Sequence, residues 1–498
     1  MRPDAISCTL QDMTGQPLTD KEVFVTGSGP NGLAAAIEMA RSGCAVTLFE
    51  SADTVGGGTR TAELTLPGYR HDICSAIHPL AASSPFFRQL PLERHGLQWI
   101  TPPAALAHPF DDGTAALLMR EIPATVETLD PRDAKAYAQL LAPLKESWQQ
   151  IAPDLLAPLG LPVHPVLMAR FGLHAVRSAR GLAQHTFQGE RARALFAGMS
   201  AHSFLPLEKA ATAAFGLILA TLGHVTGWPV AAGGSGSISQ ALADHFISLG
   251  GRIVTGTPVA TLEQFPVGAV ILMDVTPRQL LGIAGTRLSS GYRRRLEAYR
   301  YGPGVFKVDW ALSGPIPWQA SACARAATVH IGGTMEEIAA AESEVWRGGH
   351  PERPFVLVAQ QSLFDPSRAP AGKHTGWAYC HVPNGSRFDM TRRIEAQIER
   401  FAPGFRDLIL ARHVRDTAGY QLYNGNFVGG DINGGVQDLH QILARPVAGT
   451  RPYATSDAGI FICSSSTPPG GGVHGMCGYH AARCAIDTLS RNGGRFTT

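Results

Sequence analysis

Charged residues are scarce in this chain of 498 residues: they make up 16% of it, against about 25% in average soluble domains. Hydrophobic residues make up 45%, and the formal net charge is only +2. A nearly neutral chain has no electrostatic footprint for nucleic acid, so that class of partner is not expected. The composition instead favours extensive burial, or a surface that faces lipid or a hydrophobic ligand.

Paired cysteines are also missing. No two of the eight fall in a CxxC pair or in a metal-ligand spacing. This excludes a dithiol relay, which needs two neighbouring thiols to receive electrons, and we expect no metal site. The thiols are predicted to be buried in a reducing compartment; they are Cys8, Cys44, Cys74, Cys323, Cys380, Cys463, Cys477 and Cys484.

Long apolar runs are absent as well. The most apolar stretch, residues 210–223, is shorter than the roughly 20 residues of a spanning helix, so a buried helix is expected there. Residues 1–22 contain no apolar core of a secretory signal, which favours a cytoplasmic protein. Peripheral membrane contact is the alternative that residues 151–185 leave open, because apolar residues are interspersed there with Arg170 and Arg177.

The first glycine-rich turn has the pattern of a nucleotide-binding βαβ unit. A short apolar strand leads into TGSGPNG, and an Ala-rich helix follows. In this GxGxxG spacing the first glycine permits the tight turn, the second lets backbone amides reach a pyrophosphate, and the third allows the helix to pack on the strand. Glu50 ends the next strand, where a carboxylate accepts hydrogen bonds from an adenosine ribose. The predicted contacts are Gly27, Ser28, Gly29, Pro30, Asn31, Gly32, Glu50 and Ser51.

NAD and FAD both fit this pattern, and the residues after Glu50 indicate which of the two is expected. SADTVGGGTRT adds three glycines and an arginine. These supply a second flexible backbone near the same phosphates, with a guanidinium that donates two hydrogen bonds at once. A simple NAD domain does not need this extension, so FAD is the expected cofactor, with Gly57, Gly58, Thr59 and Arg60 among its contacts.

A family resemblance rests on these residues. GSGPNGLAAAIEMARSGCAVTLFESADTVGGGTRT, followed by GYRHDICSAIHP, resembles the FAD-binding opening of the phytoene-desaturase-like flavoproteins, which are relatives of the amine-oxidase fold. The resemblance continues through residues 228–259 and 468–486. GPGVFKVDWAL and YNGNFVGGDINGG are most similar to the branch that holds pyridine nucleotide-disulfide oxidoreductase domain-containing protein 2 and the desaturase-like carotene ketolases.

The resemblance implies how the late glycine loop, PPGGGVHG, is used. The loop is expected to lie against the flavin ring, and the helix after it to aim its N-terminus at the ring edge where negative charge develops. The implied contacts are Ser75, Ala76 and Ile77 along the ring, Val259 at the adenine, and Gly472 and Val473 in this loop. One departure is the run Ser464–Ser466, where many relatives have an acid that holds the ribityl chain.

The predicted fold class is α/β, a Rossmann-like FAD-binding domain of the amine-oxidase and phytoene-desaturase type with an interleaved α+β substrate domain. Residues 20–95, 225–290 and 440–498 are assigned to the FAD domain. Residues 96–224 form the helical part of the substrate domain, and residues 291–439 form its sheet part. We find no second strand, GxGxxG and helix unit, so no nicotinamide domain is expected. A hydrophobic small-molecule substrate then meets the flavin directly, and oxygen, a quinone or a second substrate is the other electron partner.

Two histidines are candidate catalytic residues. His78 and His474 lie in loops expected to border the flavin ring, where either can stabilise reduced flavin or move a proton; the alternative is a hydrogen-bonded wall residue. Lys307, Asp309 and Asp431 are further candidates, with a structural role as the alternative. Four aromatic residues are expected either to line an apolar substrate tunnel or to pack in the core: Trp310, Trp318, Trp377 and Tyr379.

Three functions fit these features. The leading hypothesis, implied by the resemblance, is dehydrogenation, desaturation or a related flavin-mediated change of a hydrophobic isoprenoid or polyene. The second is amine-oxidase-like oxidation of a small substrate. The third is a flavin-containing interaction protein with little turnover.

Overall fold

The computed structural model describes residues 21–491. Cys8 and most of the N-terminal segment in which no secretory signal is expected lie outside the described residues. The strands are β1 (Glu22–Thr26), β2 (Ala45–Phe49), β3 (Thr61–Glu63), β4 (Arg70–Asp72), β5 (Trp99–Ile100), β6 (Ala104–Pro109), β7 (Ala115–Met119), β8 (Val230–Ala231), β9 (Arg252–Val254), β10 (Val270–Met273), β11 (Gly304–Leu312), β12 (Thr328–Ile331), β13 (Val356–Ala359), β14 (His374–Val382), β15 (Ile409–Arg415) and β16 (Ile460–Ile462).

The helices alternate with these strands. They are α1 (Pro30–Arg41), α2 (Pro79–Ser83), α3 (Ile122–Val126), α4 (Ala134–Leu155), α5 (Pro165–Ala175), α6 (Ala179–Thr186), α7 (Glu190–Ser200), α8 (Thr212–Val225), α9 (Gly236–Ser248), α10 (Pro277–Ala284), α11 (Ser290–Glu297), α12 (Met335–Trp346), α13 (Thr391–Phe401), α14 (Thr417–Tyr423), α15 (Leu439–Leu443) and α16 (Met476–Arg491).

The first sheet is parallel, with strand order β16-β10-β1-β2-β9. Parallel sheets are covered on both faces, which explains why their strands are continuous apolar runs; all four residues of β10 are buried. Helices α1, α9 and α16 pack on one face, and α10 and α11 pack on the other. The predicted Rossmann-like α/β architecture is therefore confirmed.

Helices α1 and α16 approach each other closely because small residues line both. A Cβ atom added to Gly478 on α16 would lie 1.8 Å from the carbonyl oxygen of Asn31 on α1. Ala34, Ala35 and Ala36 on α1 are fully buried in the same core. This contact fixes the C-terminal helix against the helix that follows the first glycine turn.

The second sheet is mainly antiparallel, with strand order β15-β11-β14-β13-β12-β6-β7. Residues alternate between its two faces. On one face, β11 residues such as Phe306 and Val308 pack with α13. On the other face, residues such as Leu357 and Tyr379 pack with α4, α7 and α8.

The structure divides the chain between the helical layer and the second sheet differently from the predicted helical and sheet parts of the substrate domain. Strands β6 and β7 come from residues 104–119, which the prediction assigns to the helical part, yet they complete the sheet beside β12. That assignment is wrong for these residues. Helix α11 packs against the first sheet up to Leu296, so the cover of that sheet also runs past residue 290.

The apolar stretch predicted as a buried helix forms α8. Its residues Thr212, Ala213, Leu217 and Ala220 are fully buried, which confirms the prediction. Within residues 21–491, the helices are all too short or too polar to cross a membrane.

The contact between α1 and α16 generates a stability prediction. Gly478→Ala should lower the free energy of unfolding by about 1–3 kcal/mol, because the added methyl group overpacks against the Asn31 carbonyl. Thermal melts followed by circular dichroism measure the effect. The matched control is Gly282→Ala in α10, where nothing lies within 4 Å of the added atom. The control should be neutral or slightly stabilising; equal melting temperatures for the two variants would contradict the packing argument.

Candidate functional site

The first glycine turn links β1 to α1 at the edge of the parallel sheet. Gly27 adopts φ +90, a conformation that favours glycine, and its N–H donates to the carbonyl of Phe49. A Cβ atom on Gly32 would lie 1.9 Å from the Gly27 carbonyl oxygen. The third glycine therefore acts by packing the helix on the turn, and Gly32 does not line the cavity described below.

Glu50 follows β2 and fixes the loop opposite this turn. One carboxylate oxygen accepts hydrogen bonds from the backbone N–H and the hydroxyl of Ser28, at 2.8 and 2.5 Å. The other accepts from the N–H of Ala52 at 2.9 Å and lies 3.1 Å from the Arg60 guanidinium. Burial opposes its ionisation, but these bonds and the Arg60 charge hold the pKa of Glu50 below its ordinary value.

The second glycine loop contacts the first backbone to backbone. A Cβ atom on Gly57 would lie 2.9 Å from the Cα of Gly29, and the N–H of Gly56 donates to the Ser28 carbonyl. Arg60 lines the cavity, but its guanidinium donates to the Thr54 carbonyl at 2.7 and 3.0 Å. The arginine thus holds this loop in shape in addition to facing the cavity.

The late glycine loop connects β16 to α16. Gly472 has φ +120, and a Cβ atom there would lie 2.8 Å from Leu80, so only glycine fits without displacement. His474 is buried, and its Nδ1 accepts the N–H of Met476 at the start of α16. The structure does not bring His474 to the cavity wall: its ring caps the helix instead.

His78 lies on the cavity wall at the start of α2. Its Nε2 is 2.8 Å from the hydroxyl of Ser235, whose only proton is donated to the Ser75 carbonyl. The imidazole must therefore donate from Nε2, which leaves Nδ1 unprotonated. Burial lowers the pKa of His78 to about 4. A neutral, hydrogen-bonded ring favours the role of a wall residue.

These loops meet around one cavity of about 520 Å³. Every predicted cofactor contact except Gly32 lies on its wall. The cavity continues to the second sheet, where Thr328, Leu357 and Trp377 line it together with Phe204 and Trp228. One end is built of glycine loops and the other of apolar and aromatic side chains.

Asp274 was missed by the sequence analysis. It follows β10, and its carboxylate accepts the N–H of Gly32 at 3.1 Å. Burial, and to a smaller extent the charge of Glu50, raises the pKa of Asp274 to about 7. A carboxyl group that titrates near neutrality therefore lies on the cavity wall beside the first glycine turn.

The loop after α14 was also missed. Tyr423 donates from its hydroxyl to the Gly57 carbonyl at 2.5 Å, and Asn426 donates to the carbonyl of Asp274 at 2.8 Å. Asn424 and Asn433 also line the cavity. These asparagines could not be predicted as wall residues, because asparagines in a loop carry no spacing signal of their own.

Several candidates lie away from the cavity. Lys307 and Asp309 form a fully buried ion pair, and the ammonium group is 5.5 Å from the ring centre of Trp377. Asp431 accepts backbone N–H groups from Gly302 and Asn433. These contacts are structural.

Two of the four aromatic candidates line the cavity and two do not. Trp377 and Tyr379 on β14 line the cavity. Trp310 lies in the core on the opposite face and donates to Glu395, whereas Trp318 donates to Gln360. The tunnel expectation is therefore wrong for Trp310 and Trp318.

Comparisons with known proteins agree with this arrangement. Residues 25–90 match the NAD(P)-binding Rossmann-like domain family. The chain is 24% identical over 548 residues to pyridine nucleotide-disulfide oxidoreductase domain-containing protein 2 of Rattus norvegicus, with 94% of each chain covered. The expected resemblance is confirmed. A limonene dehydrogenase subunit of Castellaniella defragrans is 29% identical over 153 residues, which is 30% of this chain and 27% of that protein.

Solved structures extend the comparison to the fold. A double mutant of putrescine oxidase has a TM-score of 0.61 and 18% identity, and the match covers 95% of this chain and 100% of the other. At this identity the likeness concerns the fold, which is that of the amine-oxidase-type oxidoreductases.

Proposed function

We propose that this protein is an FAD-dependent oxidoreductase that acts on a neutral, mainly apolar substrate of the isoprenoid or polyene class. The observation that carries the proposal is the shape of the cavity, which joins three glycine loops to an apolar, aromatic chamber. A dinucleotide at the glycine-loop end and a hydrophobic molecule at the apolar end would meet inside this one cavity.

The glycine-loop end fits FAD in its donors and acceptors. Thr26, Asn31 and Gln279 line the cavity, and each has a buried side-chain oxygen without a hydrogen-bond partner among the described residues. Buried polar atoms are normally paired, so these three indicate a missing polar ligand. The N-terminus of α1 adds backbone N–H groups and a positive dipole end suited to a pyrophosphate.

Each part of the wall would then hold a different part of the cofactor. Glu50 would accept hydrogen bonds from the ribose, and Gly29 would let the backbone approach the pyrophosphate. Ile77 and Gly472 would border the flavin ring, which supplies acceptance of a hydride from the substrate. The protein's own contribution is to position the substrate and exclude water.

The substrate end supports a neutral molecule over an amine. Among the described residues that line the cavity, the carboxylates are Glu50 and Asp274, and both belong to the glycine-loop end. A buried ammonium group is costly unless it is paired with a carboxylate, and the described residues that line the apolar end include none. The relative from limonene dehydrogenase points the same way, because limonene is an apolar isoprenoid. Amine oxidation and a flavin-containing interaction protein remain the outcomes that the test must exclude.

The experiment measures FAD uptake first and electron exchange second. Purified protein is incubated with FAD, freed of excess cofactor, and titrated anaerobically with isoprenoids or with amines while flavin absorbance is followed. We expect stoichiometric FAD, and a change of flavin redox state with isoprenoids alone. Gly29→Val should abolish uptake, because its Cβ would lie 3.0 Å from Asp274; the control Gly282→Val should retain it. A colourless wild-type protein would refute the FAD site, and reduction by amines would refute the substrate class.

The raised pKa of Asp274 generates a pH prediction. Below about pH 7 its carboxyl group is protonated and can donate to a phosphate oxygen, whereas above that pH its negative charge repels the pyrophosphate. FAD should therefore bind about tenfold more weakly at pH 8 than at pH 6. Fluorescence titration of FAD measures this ratio. Asp274→Asn should remove the dependence, and Asp487→Asn on the exposed surface should keep it; an unchanged slope in Asp274→Asn would contradict the assignment.

We also propose that residues 159–176 rest on a membrane surface that contains anionic lipid. This segment exposes six large apolar side chains, and Leu161 is exposed completely. Arg170 is exposed on α5 within the same segment. Apolar side chains with neighbouring arginines suit the interface of an anionic bilayer, which is also where an apolar substrate is found.

Vesicle sedimentation tests this contact. Wild-type protein should sediment with vesicles that contain phosphatidylglycerol, and Leu161→Glu should weaken binding about tenfold or more through lost burial of one leucine. Val267→Glu is the control, because Val267 is 91% exposed but lies outside the segment. Failure of the wild type to sediment with anionic vesicles would overturn the proposal.

A further inference from the structure

A pair of histidines lies at the apolar end of the cavity. His202, in the turn after α7, lines the cavity, and His330 on β12 is completely buried behind it. Their Nε2 atoms are 3.1 Å apart. The ring of Trp228 meets His202 edge-on. The proposed function assigns no role to this pair.

The protonation state of the pair can be derived from its surroundings. Burial lowers the pKa of His202 to about 3 and that of His330 well below its ordinary value, so both rings are neutral. One Nε2 must therefore donate and the other accept. The Nδ1 of His330 is buried without a partner among the described residues, and a Cβ atom on Gly198 would lie 2.9 Å from it.

A buried N–H group without an acceptor is rarer than a buried acceptor without a donor. We therefore assign the proton of His330 to Nε2, from which it donates to His202. The neutral ring of His202 must then carry its own proton on Nδ1. That atom has no hydrogen-bond partner among residues 21–491, and it is not sealed in the interior as the Nδ1 of His330 is. His202 thus offers one free N–H donor at the cavity.

Thr328 supplies a second polar group beside the pair. It precedes His330 by two residues on β12 and therefore lies on the same face of the strand. The side chain is 4% exposed and lines the cavity, and its hydroxyl has no partner among the described residues. Leu357 and Tyr379 also line the cavity. A buried hydroxyl without a partner, on a residue of the cavity wall, indicates a polar atom of a ligand.

The turn that presents His202 is itself held in an unusual conformation. Phe204 has φ +59, which is a strained backbone for a bulky residue. Its ring centre is 3.9 Å from that of His381 on β14. The strain is maintained by this packing, and it keeps His202 directed toward the second sheet.

We propose that His202 and Thr328 form a hydrogen-bonding anchor for one neutral oxygen atom, carbonyl or hydroxyl, of an otherwise apolar substrate. The His202 N–H donates to that oxygen, and the Thr328 hydroxyl donates or accepts according to the group present. The inference rests on the proposed function and narrows its substrate class from isoprenoids and polyenes in general to oxygenated ones. His330 is a positioning residue, because it acts by fixing the tautomer of His202.

Paired ligands test the anchor. Carvone and limonene share the same carbon skeleton, and carvone adds one carbonyl. Their dissociation constants are measured with FAD-loaded protein by quenching of tryptophan fluorescence, since Trp228 and Trp377 line the cavity. Wild-type protein should prefer carvone about five- to tenfold, as expected for one additional neutral hydrogen bond. An equal affinity for both ligands would overturn the anchor.

Two variants test whether His202 and Thr328 cause the preference for carvone over limonene. His202→Phe removes the donor and keeps an aromatic ring, and Thr328→Val removes the hydroxyl at equal volume. Each should lower the preference for carvone toward one while leaving the affinity for limonene within about twofold of the wild type. Thr328→Val maintains the test if His202→Phe fails to fold. Retention of the full preference in Thr328→Val together with a folded His202→Phe would refute the assignment.

The control is Thr375→Val. Thr375 on β14 is also buried with an unpartnered hydroxyl, but it does not line the cavity, so its variant should retain the wild-type preference. Failure of the anchor can be told apart from failure of the proposed function. Retained FAD with no preference for carvone refutes the anchor alone. Absence of FAD uptake refutes the cofactor proposal, and the ligand pair can still be compared on the FAD-free chain.

Discussion

Contact between backbones that carry no side chains is the constraint on which the cavity depends. Gly57 packs on Gly29, Gly32 packs on the Gly27 carbonyl, and Gly472 leaves room for Leu80. A side chain at Gly57, Gly32 or Gly472 would come closer than 3.0 Å to its neighbour, so something would have to shift. Because the walls are backbone, they present N–H and C=O groups in a continuous row, as an extended ligand with phosphate and ribose groups requires.

A buried carboxylate joins this glycine-loop region to the second sheet. Asp72 on β4 accepts hydrogen bonds from the N–H of Ser235 at 2.7 Å and from the guanidinium of Arg368 at 2.6 Å. Its carbonyl accepts from the indole of Trp377 at 3.0 Å. A buried ion pair is costly to form unless its remaining hydrogen bonds are satisfied: the Asp72 carboxylate also accepts from Thr61 and Gln361, whereas Nη1 of Arg368 has no hydrogen-bond partner among the described residues. The two halves of the cavity are consequently held at a fixed separation, with charge at one end and apolar side chains at the other.

Local patterns in the sequence were sufficient to predict residues that form the glycine-loop end of the cavity. The spacing of Gly27, Gly29 and Gly32, and the acid Glu50 at the end of a strand, each depend on neighbours within a few residues. Asp274 and His202 were missed because their surroundings are set by elements far away in the chain. The aromatic residues show the same limit: all nine residues of β11 are buried, so alternation separates the faces of the strand without indicating which face meets the cavity.

The predicted domain boundaries were also wrong where distant parts of the chain pair with each other. The sequence places strands β6 and β7 in the helical part because helices follow them directly. Strand β12, the partner of β6, lies more than 200 residues away in the sequence, and no local signal records that pairing. The long-range contacts that close the second sheet are therefore the part of the fold that sequence patterns alone do not specify.

The position of β16 in the parallel sheet has a consequence for synthesis on the ribosome. Strand β1 is made first, but its neighbour β10, and β16 on the far side of β10, come from residues 270–273 and 460–462. An emerging chain therefore exposes apolar sheet faces until nearly all of it has been translated. Such intermediates are prone to aggregate, and the nascent chain stays exposed to that risk until β16 has been made and can pair with β10.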